Sequence, residues 1–126
     1  MKGDERVAKL TTGLIENTPV AEVRPTVTFT VKITNDDDIA ATVLIEGFYV
    51  VGTIKVPYVL LELLLAPGEV FSSTSLTPPG YYADFDEFEF KFTTSSDAVE
   101  ISAWGKNAAG ELTTAHRIVA HEVNPI

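Results

Sequence analysis

Apolar and polar residues alternate strictly in two stretches of this chain. From residue 26 to residue 34, valine, phenylalanine or isoleucine fills every second position, and threonine or lysine fills the others. Residues 87–93 repeat the pattern as Glu-Phe-Glu-Phe-Lys-Phe-Thr. Successive side chains of a strand point to opposite faces of its sheet, so each stretch predicts a strand with one buried and one wet face. The pattern indicates an all-β protein with antiparallel sheets.

Turn-forming residues divide the whole chain into eight predicted strands. Proline, glycine, asparagine and aspartate mark the breaks, because their backbones favour turn conformations. The predicted strands are residues 7–15, 26–34, 40–51, 55–65, 70–76, 86–94, 98–106 and 112–123. This spacing favours an eight-stranded antiparallel β-sandwich with a jelly-roll-like plan. We expect residues 1–18 to form an N-terminal arm that contains the first strand, and residues 19–126 to form the sandwich domain.

The fourth predicted strand, residues 55–65, could also form a helix. Its run of leucines favours a helix, whereas its length matches that of a hairpin partner for the third strand. We predict a strand. Because both of its faces are apolar, we expect it to lie in the middle of a sheet or to be covered on both sides.

A chain of 126 residues is long enough to bury a substantial core within one domain. The predicted core consists of large apolar residues on the inward positions of the strands: Phe29, Val31, Phe88, Phe90 and Trp104.

The charge of the chain limits its partners. Eighteen acidic residues against nine basic ones give a formal net charge of −9, which repels nucleic acid and anionic membranes. The longest apolar stretch, residues 59–66, is too short to span a bilayer. There is no cysteine, so disulfides and thiolate metal sites are excluded. We expect no nucleic-acid partner and no membrane insertion.

Metal-binding and catalytic patterns are weak. His116 and His121 lie five residues apart on one predicted strand and would face opposite sides of the sheet, so they cannot share a metal ion. Two acidic groups could suggest calcium, but neither has the spacing of a calcium loop. They are residues 36–38 and the set Asp84, Asp86, Glu87 and Glu89. There is also no nucleophile elbow or phosphate-binding loop. We predict no metal, no cofactor and no enzymatic activity.

Three aromatic residues lie in a proline-rich loop: Tyr81, Tyr82 and Phe85. Exposed loop aromatics are typical anchors for a sugar ring or a partner protein, and Trp104 could extend such a platform. The alternative is that the loop aromatics close one end of the sandwich.

The N-terminal segment is the candidate for contacts between subunits. Residues 7–15 alternate poorly, so their pairing register is weakly specified, and they could pair with a neighbour's open sheet edge. Threonine-rich, lysine-poor strands are also poorly protected against such pairing. The apolar residues that would make the contact are Val7, Leu10, Leu14 and Ile15. On this hypothesis, removal of residues 1–17 leaves a folded domain that no longer assembles.

Five segments carry a resemblance to a known group of proteins: residues 13–19, 46–49, 58–60, 65–69 and 103–107. Together they resemble small proteins of endospore-forming Firmicutes that have no assigned activity. The plan of a short jelly roll with an N-terminal arm is also similar to that of endospore appendage subunits, which polymerise into fibres. Those subunits typically cross-link through cysteines in the arm, and this chain has none.

The resemblance implies a self-assembling homo-oligomer or polymer, in an extracellular fibre or a spore-surface layer. The N-terminus is charged and lacks the apolar segment of a secretory signal peptide. We therefore expect the protein to reach the spore or cell surface after release from the producing cell by lysis. The alternative is a non-catalytic module that binds a carbohydrate or a surface protein through its loop aromatics.

Overall fold

The computed structural model describes residues 8–118 and 124–125. The strands in chain order are β1 (Ala8–Thr11), β2 (Ile15–Glu16), β3 (Thr28–Asn35), β4 (Ala41–Val51), β5 (Ile54–Leu65), β6 (Val70–Ser72), β7 (Tyr81–Tyr82), β8 (Glu87–Thr94), β9 (Val99–Lys106), β10 (Leu112–Ile118) and β11 (Asn124–Pro125). A 3₁₀ turn, Ser73–Ser75, follows β6.

The strands form two sheets in which every pairing is antiparallel. The first sheet has the order β11-β1-β8-β4-β5, with β2 also paired to β8. The second has the order β10-β9-β3-β6, with β7 also paired to β3. The predicted all-β sandwich is confirmed. The strand count exceeds eight because the first predicted strand is split in two, and because the proline-rich loop and the C-terminal residues add short strands.

The two alternating stretches form the facing walls of the core. The apolar residues of β3 and β8 are fully buried. Phe29 of β3 stacks on Phe90 of β8 with ring centroids 4.9 Å apart, and it meets Phe88 edge-on at 5.3 Å. These contacts join the two sheets through aromatic pairs of the kind that stabilise protein interiors.

Trp104 is the exception to the predicted core. Along β9, Val99, Ile101 and Ala103 face inward and are buried. Because strand side chains alternate, Trp104 lies on the outer face of the second sheet and is partly exposed. Its prediction as a core residue is wrong.

The ambiguous fourth segment is a strand, because β5 pairs with β4 along its whole length. We expected this strand in the middle of a sheet or covered on both sides. Within the described chain, β5 is instead the edge strand of the first sheet. Leu65 points into the core, whereas Leu60 and Leu64 are 75% and 70% exposed on the outer face. The strand thus has the composition of a covered strand but lies at an open edge.

Tyr58 interrupts the regular pairing of β5. Its neighbours Pro57 and Val59 pair with consecutive residues of β4, so Tyr58 is an extra residue in a β-bulge. Opposite the bulge is Gly47, where an added Cβ would lie 2.9 Å from Cβ of Val59. Glycine therefore allows the close approach at this point, and the bulge turns the Tyr58 side chain toward the end of the core.

Candidate interaction surfaces

The N-terminal segment is part of the subunit's own first sheet. β1 and β2 both pair with β8. Leu10 packs against the core and Ile15 belongs to it, while Leu14 is exposed. Val7 lies outside the described residues. Donation of this segment to a neighbour would require it to leave all of these contacts.

Asn17 fixes the end of this segment in the interior. Its side-chain amide donates hydrogen bonds to the backbone carbonyls of Thr26 at 2.7 Å, and of Ala83 and Phe85 at 3.0 Å. Its side-chain oxygen accepts a bond of 2.9 Å from the backbone N–H of Thr26. The side chain is fully buried, so these bonds satisfy groups that water cannot reach. Residues 8–17 are therefore integral to the sandwich.

The aromatic residues of the proline-rich loop close one end of the core. Tyr81 is buried, and Phe85 stacks on Tyr49 with ring centroids 4.5 Å apart. The hydroxyl of Tyr58 donates to the backbone carbonyl of Tyr82. Only Tyr82 projects outward, with 60% of its surface exposed. The sequence left two interpretations of this loop, and the packing of Tyr81 and Phe85 favours closure over a binding platform.

Burial holds the phenols of this cluster in the neutral form. Desolvation raises the pKa of Tyr81 to about 12. It also raises the pKa of Tyr58 above its usual range, with a further contribution from neighbouring Tyr81. Both phenols are therefore protonated near neutral pH, and their rings pack against Phe90.

The open edge at β5 is unequally protected along its length. Proteins protect edge strands with charges, prolines and bulges, because an unpaired strand is a template for another chain. The N-terminal half of β5 contains Lys55, Pro57 and the bulge at Tyr58. From residue 59 to residue 65, Glu62 is the single charged residue. The C-terminal half is therefore the unprotected part of this edge.

A charged cluster covers the outer face beside the protected half of β5. The Nζ of Lys55 donates to Oε1 of Glu89 at 2.7 Å, and the hydroxyl of Thr11 donates to its other oxygen. Burial raises the pKa of Glu89, but the hydrogen bonds from Lys55 and Thr11 outweigh it and bring the pKa below its usual range. Lys55 and Lys91 both lie over the ring of Phe48, at 5.7 Å and 5.5 Å from its centroid. The outer face beside the N-terminal half of β5 is therefore covered by side chains of the first sheet itself.

A groove of roughly 260 Å³ lies on the outer face of the second sheet. Its floor is formed by Thr28 and Thr30 of β3, and its sides by Pro79 and Lys106. Trp104 pairs directly with Thr30 across the strands, so it lies on the same face of the sheet as the floor of the groove and next to it.

The acidic groups suggested for calcium have other partners. Asp84 and Asp86 both bind the guanidinium of Arg24, each at 2.5 Å. Asp37 accepts a hydrogen bond of 2.6 Å from the hydroxyl of Ser96. Across residues 8–118 and 124–125, no three histidine or acidic side chains are grouped so as to hold a metal ion.

Of the two histidines, His116 lies in the described part of the chain. His116 is half-buried, and its Nδ1 lies 2.7 Å from the hydroxyl of Thr26. Burial lowers its pKa. His121 lies outside the described residues.

Comparison with known proteins reveals similarity in fold but no family. No family model matches the sequence, and no curated protein matches it. The Anabaena sensory rhodopsin transducer is similar in structure at 17% identity, over 76% of this chain and 85% of that one, with a TM-score of 0.49. The Thermotoga maritima protein 1070 is similar at 15% identity, over 99% of this chain and 94% of that one, with a TM-score of 0.49. Over the described range, no helix is long and apolar enough to cross a membrane.

Proposed function

We propose that this chain is a structural subunit that associates with copies of itself through the edge of β5. The observation that carries the proposal is the exposure of Leu60 and Leu64, at 75% and 70%, on the outer face of the edge strand β5. Full burial of one leucine side chain is worth about 1.5–3 kcal/mol. An added strand would lie beside these side chains, cover part of their surface and satisfy the unpaired backbone groups of the edge at the same time.

The partner that best fits this edge is a second copy of the same edge. Two β5 strands related by a two-fold axis run antiparallel, so they can extend the first sheets of two subunits into one sheet. An axis at Glu62 would place two carboxylates directly opposite each other, which is unfavourable. A register centred on Leu61 or Leu63 avoids this, and it places Glu62 opposite Leu60 or Leu64 of the second copy.

The β5 edge supports this role better than the N-terminal segment does. Residues 8–17 are already paired with β8 and fixed by Asn17, whereas the described chain offers β5 a single neighbour, β4. A two-fold contact closes at a dimer, and a fibre or layer needs a second contact. We propose a fibre or a spore-surface layer as the larger assembly, on the basis of the resemblance to Firmicutes proteins and endospore appendage subunits.

The test is a charge substitution on the outer face of β5. We expect Leu60→Lys with Leu64→Lys to keep the circular dichroism of the parent and to reduce its sedimentation mass to that of the monomer. The matched control is Val20→Lys with Val23→Lys, which changes two equally exposed apolar residues outside the sheets. The control should associate as the parent does. A parent chain that stays monomeric at millimolar concentration would refute the proposal, and electron microscopy distinguishes dimers from fibres or layers.

The second candidate function is a non-catalytic binding module. Tyr81 and Phe85 are packed inside, so the loop platform is reduced to Tyr82. The observation that favours a binding function is the indole of Trp104 on the other sheet.

A further inference from the structure

The outer face of the second sheet carries the chain's single tryptophan. Trp104 pairs with Thr30, and the next pair on the same face is Lys106 with Thr28. On the other side of the indole, the Nζ of Lys32 lies 5.8 Å from the ring centroid. Trp104 thus has one ammonium group near its ring, and a second lysine, Lys106, lies two residues further along the same face of β9.

The groove beside Trp104 is held in shape by its own walls. Asn107 accepts hydrogen bonds from the backbone N–H groups of Ala109 and Glu111, at 3.0 Å and 2.9 Å, which fixes the β9–β10 hairpin on one side. On the other side, Gly80 has a φ of +81°, and an added Cβ would lie 2.3 Å from Cγ2 of Thr28. Glycine is therefore needed for the loop to close against β3. The cavity exists before any ligand arrives, which lowers the cost of binding.

The polar lining of the groove sets the charge of its ligand. Among the described residues that line it, none carries a carboxylate, and Lys106 supplies an ammonium group. Glu111 belongs to the neighbouring hairpin, where its carboxylate accepts a hydrogen bond from Asn107. Glu100 lies four residues from Trp104 along β9, or about 13 Å at the rise of a strand. Lys106 therefore gives the lining a positive charge, although the Glu111 carboxylate lies beside Asn107 at its border, and an anionic ligand is complementary to Lys106.

We infer that this face binds an anionic polysaccharide built from carboxylate-bearing pyranose units. The indole of Trp104 offers a flat apolar surface to the C–H face of one sugar ring. Lys106 and Lys32 lie on the same face and would pair with the carboxylates of adjacent units, with Lys32 moving off the ring. Thr28 and Thr74 supply hydroxyls to the groove. This site is on the second sheet and is independent of the β5 edge.

The test uses a defined oligomer of galacturonic acid as the probe. Trp104 is the only tryptophan, so its fluorescence reports the site directly. We expect a saturable change in emission with the galacturonic acid oligomer, and at least tenfold weaker binding of a neutral glucose oligomer of the same length. By calorimetry, Trp104→Ala should abolish binding, Trp104→Phe should retain part of it, and Lys106→Ala should weaken it at least tenfold.

Two control variants separate the site from general charge and loop effects. Lys9→Ala removes the same charge from an exposed position of the first sheet, and Tyr82→Ala removes the exposed loop aromatic. Both should bind as the parent does. The inference is overturned by no response at millimolar probe, by equal affinity for the neutral oligomer, or by equal weakening in Lys9→Ala. Tighter binding of oligothymidylate would also overturn it and would indicate a nucleic-acid surface.

Discussion

The side-chain amide of Asn17 donates a hydrogen bond of 3.0 Å to the backbone carbonyl of Phe85, across 68 residues of sequence. The bond joins the end of the N-terminal segment to the loop that closes the core. It also explains why the segment cannot be treated as a detachable arm. Phe85 stacks on Tyr49 directly above the point where Asn17 holds its backbone.

We expect Asn17→Ala to destabilise the domain strongly. The substitution leaves the backbone groups of Thr26 and the carbonyl of Ala83 buried without this partner, and each unsatisfied group costs about 1–3 kcal/mol. Urea denaturation followed by circular dichroism measures the loss. The exposed neighbour Thr18→Ala is the control and should change the stability little.

Deletion of residues 1–17 should unfold the protein rather than leave a soluble domain. The deletion removes β1, β2 and Asn17, and so exposes the edge of β8 and the core residues beneath it. This outcome is the opposite of the one expected from the sequence. A truncated chain with a native near-ultraviolet spectrum would restore the arm hypothesis.

Phe90→Ala should cost about 3–5 kcal/mol, because it creates a cavity where the two sheets meet. Phe90 is fully buried and lies against Phe29 of the opposite sheet. Tyr82→Ala, which removes an exposed ring, is the comparison. A loss below about 1 kcal/mol for Phe90→Ala would be incompatible with the packing described here.

Local periodicity predicted the parts of the fold that depend on one strand at a time. The alternation in β3 and β8 identified Phe29 and Phe90 as core residues. The same alternation places Trp104 outward, since it follows buried Ala103, and a parity check along β9 could have found this. The aromatic character of Trp104 was the misleading signal.

The order of strands in a sheet is not encoded in local periodicity. β5 has the composition of a covered strand. In the sheet, however, β8 pairs with the far side of β4 and not with β5, and this leaves β5 at the edge. The interior role of Asn17 depends on carbonyls 9, 66 and 68 residues away. A single polar residue carries no sign of such distant partners, so this contact could not have been predicted.

Chelation should leave the melting temperature unchanged. In the acidic turn, the carboxylate of Asp37 is bound to Ser96, and in the separate acidic group Asp84 and Asp86 both bind Arg24. Thermal denaturation with and without EDTA measures the effect. A fall that calcium reverses would indicate a site that includes residues 36–38.

The hydrogen bonds of Glu89 should make stability depend on acid pH. Its pKa is lower in the folded state than in the unfolded chain, because bonds from Lys55 and Thr11 outweigh the effect of burial. At pH values below the ordinary range of a glutamate pKa, the unfolded chain therefore binds a proton at this residue more readily than the folded state does. Stability accordingly rises with pH in this region. The contribution to stability is complete above the ordinary range of a glutamate pKa and is lost as the pH falls through the lower pKa of the folded state.

We expect Glu89→Gln to destabilise the protein most at neutral pH, and the difference from the parent to shrink as the pH falls below about 4, near the ordinary pKa of glutamate. The measurement is the urea midpoint of both proteins between neutral and acid pH. Glu87→Gln is the control on the same strand. A difference for Glu89→Gln that stays constant across the acid range would show that the carboxylate is not held by Lys55 and Thr11.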